Sequence, residues 1–119
     1  MLKVGRGSIV NLTSVHGFAG MPGHSLYAGT KGAIMAWTRE VSIELARKNI
    51  RVNAVAPGFI ETKMTAALPE TVRQKMLEAI PMARFGLPDD VANVVLFLAG
   101  PASAYMTGQV LSISGGMVM

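Results

Sequence analysis

The 119 residues are half hydrophobic and only 15% charged, which suits one domain with a substantial core and excludes a disordered chain. The net charge of +4 is carried by Lys and Arg scattered between Lys3 and Arg84 and never interleaved with aromatics. That spread argues against a nucleic-acid groove, although an anionic small ligand would use the same charge. With no cysteine, disulfides and thiolate metal sites are excluded, and His16 and His24 lack metal-ligand spacing and read as two separate surface residues.

Residues 8–13, Ser-Ile-Val-Asn-Leu-Thr, are short, β-branched and bounded by glycines, which suits a buried strand. The loop VHGFAGMPGH follows. A helix opens near Ser25, a candidate N-cap, and runs to about residue 48. Arg47 and Lys48 suit its negative end, and Asn49 can close it in a left-handed turn. Residues 50–56 form a second strand, stopped by Pro57-Gly58. Residues 69–79 have helical spacing, with Val72, Met76 and Ile80 on one side. Another helix begins at Pro88, with Asp89 and Asp90 complementing the dipole of its first turn, and continues through VANVVLFLAG. Gly108 introduces a last strand, 109–113, ended by Gly115-Gly116.

The order β, α, β, α, α, β implies right-handed parallel crossovers and an α/β layered fold. Three parallel strands make a thin sheet. The first reads as apolar on both faces, so a further strand is expected on its open side; left bare, that edge is an aggregation hazard. The mean hydropathy of +0.40 is high for a small soluble protein, so the chain either hides surface against a partner or is part of something larger. Lys3 and Arg6 precede no apolar core of signal-peptide length, and no stretch reaches the roughly 18 apolar residues of a membrane span. The expectation is a soluble cytoplasmic protein with neither a membrane nor a nucleic-acid partner.

Tyr27 and Lys31 stand four apart, on one face of the first long helix. An ordinary phenol holds its proton well above neutral pH. A nearby ammonium favours the phenolate, and the positive end of the helix pushes the same way, so the pair suits a tuned general acid/base. Tyr-x-x-x-Lys arises often by chance, however, and as a bare motif it reads as an ordinary surface pair. Ser14 ends the first strand at the carboxyl edge of a parallel sheet, where open α/β proteins bind ligands. Its hydroxyl suits a carbonyl oxygen that gains negative charge, or simply a loop cap. In PGFIET, Pro57-Gly58 turns the chain and lets a ligand come close, leaving the amide of Ile60 and the hydroxyl of Thr62 to donate; a plain strand-to-loop turn is the other reading.

Together these pieces resemble the second half of a short-chain dehydrogenase/reductase. The family's Ser, then twelve residues, then Tyr-x-x-x-Lys is met by Ser14, Tyr27 and Lys31. RVNAVAPGFIETKM resembles the strand and turn that receive the nicotinamide. PMARFGLPDDVANVVLFLAGPASAYMTGQVLSISGG follows the closing segment almost throughout. The resemblance covers essentially the whole chain. It is nearest to the family's 3-oxoacyl-(acyl-carrier-protein) reductase group, through VAPGFIETKMT and the ending GGMVM.

The resemblance implies the C-terminal half of a Rossmann-like, doubly wound parallel sheet, three strands with flanking helices. Residues 1–119 would then be a partial domain whose N-terminal dinucleotide-binding half is absent. It implies that Tyr27 protonates the substrate carbonyl oxygen as hydride arrives, and that Ser14 holds that oxygen. Lys31 would favour the Tyr27 phenolate and hydrogen-bond the nicotinamide ribose. Ile60 and Thr62, past Pro57 and Gly58, would bind the carboxamide end of the cofactor, NADP, with NAD left open. The substrate would be an acyl thioester or another small carbonyl compound, its 3-keto group reduced to a 3-hydroxy group. Residues 61–84 match a mobile lid, where Met64, Leu68 and Met76 either meet an acyl chain or pack. Asn53 and Arg84 match structural positions. A homo-oligomer is implied, a tetramer in full-length relatives.

The departures are as specific. The family's Thr-Gly-x-x-x-Gly-x-Gly turn, its Asn-Asn-Ala-Gly element, the relay asparagine and the residue selecting NAD or NADP are not among these residues. Met1-Leu2-Lys3 matches the end of the helix preceding the first strand, and Ser114 stands where many members have Asp. The alternative reading is an inactive truncated remnant, or a non-enzymatic interaction module that pairs with a full-length relative.

Overall fold

A computed structural model describes residues 1–119. Strands β1 (Gly7–Leu12), β2 (Ile50–Pro57) and β3 (Val110–Ile113) form one parallel sheet in that spatial order. Gly7 lies opposite Ile50 and Leu12 opposite Val55, while Ala54 faces Val110 and Pro57 faces Ile113. Helix α1 (Ser25–Ala46) makes the first crossover. Helices α2 (Lys63–Ala66), α3 (Glu70–Glu78) and α4 (Pro88–Ala99) make the second.

Side-chain parity shows that the helices cover both faces. Ser8 donates to the Leu98 carbonyl of α4 at 2.8 Å, whereas Asn11 donates to Thr38 of α1 at 2.9 Å. Three residues apart on a strand means opposite faces, so α4 and α1 flank the sheet. A central strand between two helical layers has no room for polar side chains without partners, and β2 reads accordingly: Val52, Ala54, Val55 and Ala56 are fully buried. Buried Asn53 is the exception that proves bonded, donating to the Met106 carbonyl at 2.9 Å and accepting from the Gln109 amide at 3.0 Å.

Several boundaries differ from the sequence reading. The N-cap of α1 is His24, with Ser25 already helical and no side-chain cap bond. The helix stops at Ala46, with Arg47 as C-cap, and Asn49 adopts the expected left-handed conformation at φ 56°. β3 begins at Val110 because the Gln109 amide is taken by Asn53. Helix α2 was not expected; Thr62 and Thr65 cap it reciprocally through side chain and backbone. Met1 caps a short 3-10 turn at Leu2–Val4, where the end of a longer helix was expected. At α4 the expectation holds, with Asp90 Oδ2 accepting from the Leu87 amide at 2.8 Å.

β1 pairs with β2 alone. The amides of Gly7 and Thr13 point to the β2 side, at 3.2 and 2.9 Å from their acceptors. Alternation therefore turns those of Ser8, Val10 and Leu12 to the open edge.

Candidate functional site

Ser14 leaves the carboxyl end of β1 in extended conformation and caps the 3-10 turn Val15–Gly17. It is 6% exposed. Its Oγ accepts from the His16 backbone amide at 3.3 Å and lies 3.1 Å from His16 Nδ1. Tyr27 sits in the first turn of α1, half exposed, its ring meeting the His16 ring edge-on with centroids 5.3 Å apart. One turn further, Lys31 Nζ lies 5.6 Å from the Tyr27 ring centroid and donates to the Leu12 carbonyl at 3.4 Å. Thr13 Oγ1 donates to the Lys31 carbonyl at 2.8 Å, tying the helix to the strand end. The expected trio thus gathers at one end of β1.

His16 is the member that sequence reasoning missed. It does not stand alone: it touches both Ser14 and Tyr27, and its ring centroid is 5.0 Å from that of His24. Burial first, and the neighbouring His24 second, hold His16 below the ordinary histidine value. The signal was its place two residues past a strand-end serine, the spacing of a hydroxyl-capped turn. No group of acidic, His or Cys side chains could hold a metal ion, and no helix is long and apolar enough to cross a membrane.

The second strand end supplies another set of donors. The Gly58 amide donates to the Ile113 carbonyl at 2.9 Å. A Cβ on Gly58 would lie 3.0 Å from Ser114 Cα, so the close approach at this turn favours glycine. The Glu61 amide donates to the Gly86 carbonyl at 2.7 Å, while the Ile60 amide has no hydrogen-bond partner within the chain. Thr62 Oγ1 accepts from the Thr65 amide at 3.3 Å as a helix cap and lies 3.4 Å from the Thr65 hydroxyl. A free amide, a hydroxyl and the Lys31 ammonium suit the acceptor oxygens of a nicotinamide carboxamide and its ribose. The residues present therefore fit that end of the cofactor. For its pyrophosphate they provide no Thr-Gly-x-x-x-Gly-x-Gly turn between a strand and a helix.

Of the three residues expected in a lid, Met76 lines an apolar groove of about 440 Å³ together with Met21, Phe59, Val72, Met117 and Val118. Met64 is almost wholly exposed, and neither it nor Leu68 lines the groove. Arg73 joins α3 to Glu61 through two 3.1 Å bonds and lies over the Phe85 ring, 4.8 Å from its centroid. Arg84 pairs with Asp90 at 2.9 Å. Ser114 Oγ accepts from Ser112 at 3.0 Å and from the Val118 amide at 3.3 Å and donates to the Val118 carbonyl at 3.3 Å, so the hydroxyl at this position is fully used.

The family model described as "Enoyl-(Acyl carrier protein) reductase" matches residues 1–118. The 3-oxoacyl-(acyl-carrier-protein) reductase of Thermotoga maritima is 54% identical over 119 residues, which is 100% of this chain and 48% of the relative. That of Aquifex aeolicus is 51% identical over 117 residues, 98% of this chain and 47% of the relative. The crystal structure of the corresponding reductase from Brucella melitensis superposes with a TM-score of 0.94 at 42% identity, covering 100% of this chain and 45% of that one. The chain spans about half the length of the relatives it matches. The matched family, the parallel sheet with a helix layer on each face, and Ser14, Tyr27 and Lys31 gathered at one strand end agree: the chain belongs to the short-chain dehydrogenase/reductase family, where its relatives are 3-oxoacyl-(acyl-carrier-protein) reductases.

Proposed function

We propose that these residues form the catalytic half of an NADPH-dependent reductase that converts a 3-oxoacyl thioester to the 3-hydroxyacyl thioester. The observation that carries the reading is the Lys31 ammonium 5.6 Å from the Tyr27 ring, beside the strand end that bears Ser14. When bound, the nicotinamide supplies hydride to the carbonyl carbon. Ser14 donates a hydrogen bond to the carbonyl oxygen as that oxygen gains charge. Tyr27 gives the oxygen its proton, which completes the alcohol, and the Lys31 charge favours the phenolate left behind. Ile60 and Thr62 hold the carboxamide, and Lys31 the ribose hydroxyls. The reductase activity for which the relatives are named supports the substrate class.

The adenosine and pyrophosphate of the cofactor find no cradle here, and remote binding energy of that kind is what positions a reacting ring. The 119-residue polypeptide is therefore expected to bind NADPH more weakly than micromolar and to reduce acetoacetyl thioester at no measurable rate. Cofactor fluorescence titration checks the first point; micromolar binding would refute it. Fusing the chain behind the N-terminal half of the Thermotoga relative tests the chemistry. The fusion should reduce the thioester, and Tyr27→Phe should lower kcat by about 10²–10⁴-fold at unchanged thermal midpoint. A fully active Tyr27→Phe fusion would sink the assignment.

A second reading has its own observation, the unpaired outer edge of β1. In it the chain is a non-catalytic module that adds this edge to a full-length relative. Mixing the two and sizing the product discriminates, because a chain that stays monomeric in the mixture rules the module out.

A further inference from the structure

The hydrogen-bond inventory of Ser14 assigns a role to its neighbour. A serine hydroxyl has one proton and two acceptor lone pairs. One lone pair accepts from the His16 backbone amide at 3.3 Å, and the ring Nδ1 of the same histidine stands 3.1 Å away. That second contact has two polarities. A protonated Nδ1 donates into the remaining lone pair and leaves the hydroxyl proton free. A bare Nδ1 takes that proton, and Ser14 then has nothing to offer a substrate.

We propose that His16 is a positioning residue: its Nδ1–H donates to Ser14 Oγ, so that the single Ser14 proton turns outward to the substrate carbonyl oxygen. The inference rests on the reductase reading of Ser14. Two features of the structure support this polarity. The ring makes no hydrogen bond other than the one to Ser14, so an Nε2–H would have no acceptor within the chain. The titratable groups around it are His24, Tyr27 and, behind the Tyr27 ring, Lys31. None is a carboxylate, so nothing anionic holds a proton at Nε2 or favours the doubly protonated ring. The neutral ring then has one proton, and Nδ1 is where it makes a bond. The edge-on contact with Tyr27 lets the same ring set the phenol and the hydroxyl relative to one another.

Nitrogen-15 correlation spectra of the His16 ring in the labelled 119-residue chain, near pH 7.5, decide the polarity. The expected signature is a protonated Nδ1 with an unprotonated Nε2; the opposite tautomer overturns the proposal. This reading needs no turnover, so it stands or falls apart from the reductase assignment. That assignment is challenged separately if Ser14→Ala leaves the fusion fully active. In the fusion, His16→Asn, whose amide NH₂ can occupy the Nδ1 position, should retain most of kcat. His16→Leu should lower kcat about tenfold without moving the KM for NADPH, and equal rates in the two variants would also overturn the proposal.

Discussion

Ser14 is both the cap of a turn and the hydroxyl beside the His16 ring that meets Tyr27, and the two roles are compatible because capping uses only a lone pair. His16 links them, and its ionisation has a consequence for stability. Its value is depressed in the folded chain, by burial and then by His24. On acidification the unfolded chain therefore takes up this proton first. The contribution is intact above the ordinary histidine value and falls away as pH drops below it toward the lower folded value. The thermal midpoint should decline between about pH 8 and about pH 5.5, and decline less in His16→Asn. Superimposable profiles for the two proteins would contradict this. Asp90 works in another window. The Arg84 hydrogen bond first, and the Leu87 amide second, hold it below the ordinary carboxyl value. Its contribution is present above that value and lost only as strong acid reaches the lowered one, so it does not confound the histidine experiment.

Strand β2 depends on one buried polar side chain. Asn53 satisfies the Met106 carbonyl and the Gln109 amide in the segment leading to β3. Asn53 is fully buried, and truncation to Ala leaves the Met106 carbonyl and the Gln109 amide without these bonds. Asn53→Ala should cost about 3 kcal/mol, read as a lower urea midpoint at unchanged slope; a loss below about 1 kcal/mol would mean that water replaces both bonds. The helices differ in how far their sequence announces them. Pro88, Asp89 and Asp90 declare the start of α4, since Pro and carboxylates suit a first turn. Helix α2 has no such mark, because its cap pairs two threonines rather than a hydroxyl with Glu or Gln. Ser25 looked like a cap by residue type, yet the chain enters the helix one residue earlier, at His24, whose side chain turns to the Pro22 carbonyl instead.

The molecule extends 51 × 27 × 23 Å with a radius of gyration of 15.8 Å, against about 13.5 Å for a compact domain of this length. Its accessible surface is 7607 Å², where about 6,200 Å² suits a monomer of this mass. The excess includes apolar side chains near the unpaired edge: Leu12 is 58% and Trp37 52% exposed. Such an edge invites pairing. The purified chain should therefore scatter light as a species heavier than the 12.6 kDa monomer, increasingly so with concentration, and Leu12→Lys should reduce that mass. A strictly monomeric chain at high concentration would show that the edge is blunted by other means.

Chain order was enough for the three parallel strands and the α1 crossover, and the family's motif spacing for the grouping of Ser14, Tyr27 and Lys31. Strand ends in a parallel sheet share one edge, and a four-residue spacing on a helix shares one face. The left-handed Asn49 was readable for the same local reason. Folding decided what depends on partners distant in sequence or on side-chain direction. His16 became a neighbour of Tyr27 only when the loop after β1 folded back on α1. The Ile60 amide was left without a partner because Gly86 bonds to the residues on either side of it. Met76, rather than Met64, came to line the apolar groove. Local periodicity sets faces and ends, but only the packed chain determines which hydrogen-bonding groups are satisfied and which remain for a ligand.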